Sequence, residues 1–244
     1  MGAEPIRTEP LDRFADLLEP SGFDRHSYTP CYGMAECSLA VTFSSLGQGI
    51  DVDRVDTDIL ATEQKAIPLH PSQNEKNVHT TSFTNCGAPL PGYEVEIRNE
   101  RGELLPERHC GTLYVRGPSI MSGYFGDLLS TREVLSPDGW LNTGDLAYRV
   151  GKNIVITGRE KDLIILNGRN IWPQDLEYLA EQQTEVRTGD TSAFSVTDGD
   201  GEERAVLMVE CRESKEEKRA DLRKRLHRQI REEFGIDCLI ELVP

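Results

Sequence analysis

The chain has 244 residues, 37% of them hydrophobic, enough to bury one large core or two smaller ones. Lys and Arg total 27 against 42 Asp and Glu, a net charge of −15. That balance argues against nucleic acid or an anionic membrane surface as partner, but it leaves room for a nucleotide in a local pocket.

Six cysteines are present, and no two have the Cys-x-x-Cys spacing of zinc ribbons or thioredoxin-like sites. They read as reduced, mostly buried thiols of an intracellular protein. The first residues, Met-Gly-Ala-Glu-Pro, carry no apolar signal core, and no run approaches the length of a membrane span. A cytoplasmic protein with no stable membrane anchor is expected.

Leu11, Phe14 and Leu18 recur at helical spacing, which predicts a helix over 8–19. Thr8 is placed to cap it, Pro10 suits its first turn, and Pro20-Ser-Gly22 stops it. A short strand is predicted over 28–32 and a helix start over 34–40. The segment Tyr32-Gly-Met-Ala-Glu36 would then be a strand-to-helix turn. Between Gly47 and about Thr81 the periodicity dissolves, marking either a functional insertion or a partly disordered stretch. His70 and His79 have no ligand spacing and read as surface histidines.

Order returns at Cys86-Gly-Ala-Pro-Leu-Pro-Gly92. Strands are predicted over 93–97 and 111–117, and a hairpin over 147–157 turns at Gly151. Just ahead of that hairpin stands Trp140-Leu-Asn-Thr-Gly-Asp145. Gly144 permits a sharp turn, from which Asp145 is expected to project on a loop. A carboxylate so placed can accept hydrogen bonds from two neighbouring hydroxyls, as the acidic residue on a nucleotide ribose does elsewhere. Arg159 adds a planar fork of donors for ribose or phosphate oxygens.

After Asp162 an apolar run ends at Asn167-Gly168, and Trp172-Pro173 opens a helix to about 182. Two strands over 192–197 and 204–211 are joined by the turn Asp198-Gly-Asp-Gly201. Leu222, Leu226, Ile230 and Phe234 form one stripe of a charged helix over 215–234. Gly235 is placed to end it, and a last strand covers 238–243. Residues 163–244 thus read as a small α+β unit with its own core.

Three motifs, Tyr32-Gly-Met-Ala-Glu36, Gly139-Trp-Leu-Asn-Thr-Gly-Asp145 and Gly158-Arg-Glu-Lys-Asp-Leu-Ile-Ile-Leu-Asn-Gly168, stand in the order seen in adenylate-forming enzymes. That superfamily comprises acyl-CoA synthetases, peptide-synthetase adenylation domains and luciferases. With Gly2-Ala-Glu-Pro5 and Asn167-Gly-Arg-Asn-Ile-Trp-Pro-Gln-Asp-Leu-Glu177, the chain most resembles the fatty acyl-AMP ligase branch.

The resemblance implies a mixed α/β (α+β) fold in two parts. Residues 1–161 would be the β-rich C-terminal part of the large AMP-binding domain, with an insertion at about 47–82. Residues 162–244 would be a small mobile α+β domain. It also implies a reaction: ATP activates a fatty acid to an acyl-adenylate, which passes to the thiol of an acyl carrier protein or a polyketide or peptide synthase. Magnesium offsets the repulsion between carboxylate and phosphate.

By the same resemblance, Glu36 holds Mg2+. Tyr32 offers a flat face to adenine, Gly33 allows close backbone approach, and Met34 and Ala35 complete that wall. Gly2, Ala3 and Glu4 line the other side of the base. Asp145 and Arg159 bind ribose, and Asp162 is the hinge of domain rotation. Many relatives carry Thr at the position of Ala35, and Ala fits the acyl-AMP ligase branch. The insertion would hamper the rotation needed for CoA.

A phosphate loop expected before Gly2 and a lysine expected after Pro244 lie outside this sequence, so little adenylation by this polypeptide alone is expected. A long-chain acyl-CoA synthetase and a non-catalytic nucleotide- or protein-binding remnant are the competing readings. Offering CoA separates the first, and binding of an acyl-AMP analogue the second.

Overall fold

Gly33 and Ala40 face each other across the tight reversal that joins β1 (Cys31–Gly33) to β2 (Ala40–Phe43). The computed structural model describes residues 1–2, 5–69, 79–166, 168–197 and 203–244. Between β1 and β2 the chain makes one 3-10 turn, Ala35–Cys37, which ends at Ser38 with φ at +66°. The helix expected over 34–40 therefore does not form. The left-handed residue turns the chain back, so that the following residues pair as a strand. The strand expected over 28–32 is likewise displaced to Cys31–Gly33, after a 3-10 turn at Arg25–Ser27 and Pro30, which has no N–H to give.

The described residues divide into two compact units, Met1–Glu160 and Lys161–Pro244. The first opens with α1 (Thr8–Leu18). Its N-cap is Arg7 without a side-chain bond, so Thr8 is the first helical residue and not the cap. Between Gly47 and Thr81 the described residues, 47–69 and 79–81, are more ordered than their polarity suggests. β3 (Val52–Asp56) runs into α2 (Thr57–Glu63), with Asp56 Oδ1 accepting from the Ile59 N–H at 3.0 Å as N-cap. β3 pairs antiparallel with β4 (Thr80–Thr84), and β5 (Ala88–Pro89) adds to β2. His79 pairs with Asp58 at 3.1 Å, and His70 lies outside the described residues.

A four-stranded antiparallel sheet carries the rest of this unit. Its strands are β6 (Glu94–Arg98), β7 (Gly111–Arg116), β8 (Leu141–Val150) and β9 (Asn153–Arg159), in that spatial order. Ile97, Leu113, Val115, Leu141, Ala147 and Ile154 fill its inner face, against Tyr32 and Val41. Before β8 stands α3 (Leu128–Val134), which the sequence pattern does not announce.

The second unit starts with the short pair β10 (Ile164–Leu166) and β11 (Arg169–Ile171), then α4 (Pro173–Glu181). β12 (Thr191–Thr197) and β13 (Glu203–Glu210) are antiparallel; the turn expected at 198–201 lies outside the described residues. α5 (Glu216–Phe234) crosses over to β14 (Cys238–Val243), which joins β13 in parallel. Leu222, Leu226, Ile230 and Phe234 are buried on one stripe of α5. Gly235, at φ +68°, ends the helix by giving its N–H to Arg231 O. Glu177 Oε1 accepts the Ala193 N–H at 3.0 Å, so a helix side chain satisfies a donor of strand β12. No helix among the described residues is long and apolar enough to cross a membrane.

Candidate functional site

Asp145 does not project from a loop. It lies within β8, where two steps along β7 correspond to four along β8, from Thr112 opposite Leu146 to Tyr114 opposite Asn142. Gly144 sits in that bulge at φ +70°, a value glycine adopts without strain. The bulge is stitched by side chains. Asn142 Oδ1 accepts from the Gly144 N–H at 2.9 Å, and Thr143 Oγ1 accepts from the Asp145 N–H at 3.0 Å. Thr143 Oγ1 in turn donates to Leu113 O at 2.8 Å. These bonds fix the backbone that carries the carboxylate. Asp145 is 8% exposed.

Tyr32 and Arg159 both meet this carboxylate. The Tyr32 hydroxyl donates to Oδ2 at 2.5 Å. Arg159 stands directly opposite Asp145 across β8 and β9, and its Nε lies 3.4 Å from Oδ1. The Arg159 side chain is 61% exposed, so this ion pair is worth no more than about 1 kcal/mol and leaves the guanidinium available to a ligand. Burial, then the charge of Asp145 and its hydrogen bond, push the Tyr32 phenol above its ordinary range, which keeps it a proton donor.

Tyr32 is 9% exposed and packs in the core, and its hydroxyl reaches the Asp145 carboxylate. Met34 lies beside it, with Sδ 3.8 Å from the hydroxyl. A Cβ on Gly33 would fall 1.7 Å from Leu39 O, so the chain's own reversal requires glycine there. Gly2 is held the same way, since a Cβ there would meet Cys31 O at 2.7 Å. Ala35 is exposed. Ala3 and Glu4 lie outside the described residues.

Glu36 stands on the 3-10 turn, so no helix dipole supports it. Its Oε1 accepts from the Tyr124 hydroxyl at 2.9 Å, a partner that sequence reasoning did not find. The aromatic between two glycines in Gly123-Tyr-Phe-Gly126 was the available signal. Burial, with a smaller contribution from Glu36, pushes the neighbouring Cys37 thiol up to about 11. No group of three His, Cys, Asp or Glu side chains able to hold a metal occurs among the described residues. A magnesium ion fits at Glu36 only if phosphate oxygens of a nucleotide and water supply its other ligands. Asp162 lies exposed in the 3-10 turn Glu160–Asp162, as the second residue of the second unit.

A bulged strand presenting an acid between a phenol and a guanidinium, a glycine-bearing turn with a carboxylate, and a separate small α+β unit together define the adenylate-forming fold. Residues 1–125 match the model of the AMP-binding enzyme family, and the chain belongs to that family. It is 39% identical over its whole length to a Caulobacter vibrioides protein named as a candidate acyl-CoA synthetase, of which it covers 42%. It is 32% identical over 87% of its length to the medium-chain-fatty-acid–[acyl-carrier-protein] ligase JamA of Moorena producens, covering 37% of that protein. Among solved structures, it matches a fatty acyl-adenylate ligase, from work on the E. coli and L. pneumophila enzymes. That match is 44% identical with a TM-score of 0.89, and covers all of this chain and 42% of that one. The chain thus spans about two fifths of the length of these relatives.

Proposed function

We propose that the polypeptide containing this chain is a fatty acyl-AMP ligase. A fatty carboxylate attacks the α-phosphate of ATP, the bond to the β-phosphate breaks, and acyl-adenylate and pyrophosphate are formed. A carrier-protein thiol then takes the acyl group and releases AMP. The observation that carries this reading is the Asp145 carboxylate, held between Tyr32 and Arg159 on adjacent elements. A carboxylate oxygen can accept more than one hydrogen bond, which suits the two hydroxyls of a ribose. Arg159, largely exposed, adds donors on the same side of the sheet.

Glu36 offers a carboxylate for Mg2+ brought in by ATP; bound there, the ion would offset phosphate charge. Gly2, Met34 and Ala35 are proposed to border the nucleotide. Asp162, at an exposed turn where the second unit begins, is proposed as the hinge. The segment over 47–82 is proposed to restrict that movement and so favour a carrier protein over CoA. Six free thiols fit a reducing, cytoplasmic setting.

The test is fatty-acid-dependent ATP–pyrophosphate exchange by the full-length polypeptide, followed by offering CoA and a phosphopantetheinylated carrier protein in parallel. Exchange with acyl transfer to the carrier is expected, and Asp145→Ala should weaken ATP use. No exchange with any chain length would refute the reading. Release of acyl-CoA instead would favour the second reading, an acyl-CoA synthetase, for which the Caulobacter relative is named.

A further inference from the structure

Glu36 has no helix behind it, so its carboxylate must be held by something else. The segment from Ser119 to Tyr124 crosses the turn that carries it. Ser119 Oγ donates to Cys37 O at 2.7 Å, the Met121 N–H donates to Glu36 O at 2.7 Å, and the Tyr124 hydroxyl donates to Glu36 Oε1 at 2.9 Å. Among the described residues the Glu36 side chain has no other hydrogen bond or ion pair.

Tyr124 is itself fixed from behind. Its N–H donates to Thr131 Oγ1 at 2.9 Å, and that hydroxyl, buried in α3, donates to Asp127 O at 2.6 Å. Gly123 has φ +146°, and a Cβ there would meet Thr131 Cγ2 at 2.8 Å, so the close approach of the segment to α3 requires glycine. A helix thus sets a backbone, the backbone sets a phenol, and the phenol sets a carboxylate.

We propose that Tyr124 is the positioning residue of Glu36. Its hydroxyl occupies Oε1 and leaves Oε2 for a magnesium ion that arrives on the phosphates of ATP. The proposal rests on reading Glu36 as the magnesium carboxylate. A carboxylate on a single turn would otherwise sample several rotamers and would have to be ordered when the metal binds. Donors behind a metal-binding carboxylate orient it, and an O–H on an ionised acceptor is a charge-assisted bond.

The test compares wild type, Tyr124→Phe and Glu36→Gln in the full-length polypeptide. One readout is the Mg2+ dependence of fatty-acid-dependent pyrophosphate exchange. The other is Mn2+ affinity of the ATP complex, followed by electron paramagnetic resonance. Phe keeps the ring and loses only the donor. Tyr124→Phe is expected to raise the metal requirement about tenfold, the low end for losing such a supporting partner. Its rate at saturating metal should stay near wild type.

If Glu36→Gln shifts the metal requirement and Tyr124→Phe does not, the proposal fails while the reading of Glu36 stands. If Tyr124→Phe lowers the rate at every metal concentration without shifting the requirement, Tyr124 is only structural and the proposal is overturned. If Glu36→Gln leaves both readouts unchanged, the magnesium reading itself falls.

Discussion

The Tyr32 hydroxyl and Asp145 Oδ2 meet at 2.5 Å across 113 positions of sequence, tying β1 to the bulge of β8. Tyr32→Phe removes the donor and takes one hydrogen bond from a buried carboxylate. The expected loss is about 1–3 kcal/mol of stability, as for a hydrogen bond to a charged group. Its pH dependence has a definite sign. The folded phenol titrates above its ordinary value of 10.0, so its contribution is complete below that pH and fades as pH rises further. Urea unfolding of wild type and variant should therefore differ by a constant amount up to about pH 10, the ordinary tyrosine range, and converge above it. A gap that opens with rising pH would contradict the contact.

Gly33→Ala is expected to be among the most damaging single changes in the first unit. The added Cβ would fall 1.7 Å from Leu39 O and 2.7 Å from the Ala40 Cα, both backbone atoms that a rotamer change cannot move. Separating β1 from β2 to make room should cost at least about 3 kcal/mol, beyond ordinary overpacking. Gly22→Ala is the control. At Gly22 an added Cβ meets nothing within 4 Å, so Ala there carries only the backbone strain of φ +88°, about 1–2 kcal/mol. Thermal melts should rank the two clearly, and equal effects would mean that the reversal at Gly33 is looser than described.

How much of this was legible in the sequence depended on the range of the interaction. α5 was legible because Leu222, Leu226, Ile230 and Phe234 repeat within one helix and Gly235 follows them. The hairpin of β8 and β9 was legible from its alternation around Gly151. α3 was not, because its apolar residues Leu128 and Leu129 face solvent and its buried residue is Thr131, so no apolar stripe exists to read. The turn after Gly33 reads as a helix because Met34-Ala-Glu-Cys suits helical propensity. What overrode that propensity was strand pairing between Gly33 and Ala40, with Ser38 forced left-handed. Asp145 and Arg159 could be placed together because they flank one hairpin. The contact of Tyr124 with Glu36 spans 88 positions, so Gly123-Tyr-Phe-Gly126 marks a constrained aromatic but not its partner.

Segment 52–66 offers a third test, since it is fastened by one charged node. Arg108 Nη1 donates to Asp53 Oδ2 at 3.0 Å and to Ala66 O at 3.0 Å, and the Tyr148 hydroxyl donates to the same Oδ2 at 2.8 Å. Asp53 and Arg108 side chains are 16% and 26% exposed, so solvent screens this pair less than a surface one. Arg108→Ala is expected to cost about 2–3 kcal/mol, because Asp53 then stays largely buried without its cation. Hydrogen exchange should localise the effect. The Ala66 amide, bonded to Arg108 O, and the Cys110 amide, bonded to Gln64 O, should exchange faster, while amides of β13 should not change. Unchanged exchange at Ala66 would mean that the segment is held by β3–β4 pairing alone.

The buried thiols make a final prediction that runs in alkaline solution. Cys110 is 4% exposed, with Sγ 3.4 Å from Thr157 Oγ1, and burial pushes its thiol from an ordinary 9.0 up to about 11. A folded value above the unfolded one means that the native state holds the proton more tightly. The stabilisation is complete below pH 9.0 and is lost between there and about 11. Raising a thiol that far corresponds to about 2–3 kcal/mol for this one group. The difference in unfolding free energy between wild type and Cys110→Ala should therefore shrink by about that amount over this range, whatever the other titrating groups do in both proteins. The same burial governs reactivity, because the thiolate is the nucleophile. At pH 8, iodoacetamide should label the half-exposed Cys31 first and leave Cys37, Cys86, Cys110 and Cys238 intact in the folded protein. Labelling of Cys110 at a rate matching Cys31, read by peptide mass spectrometry, would show that the sheet opens far more readily than its packing implies.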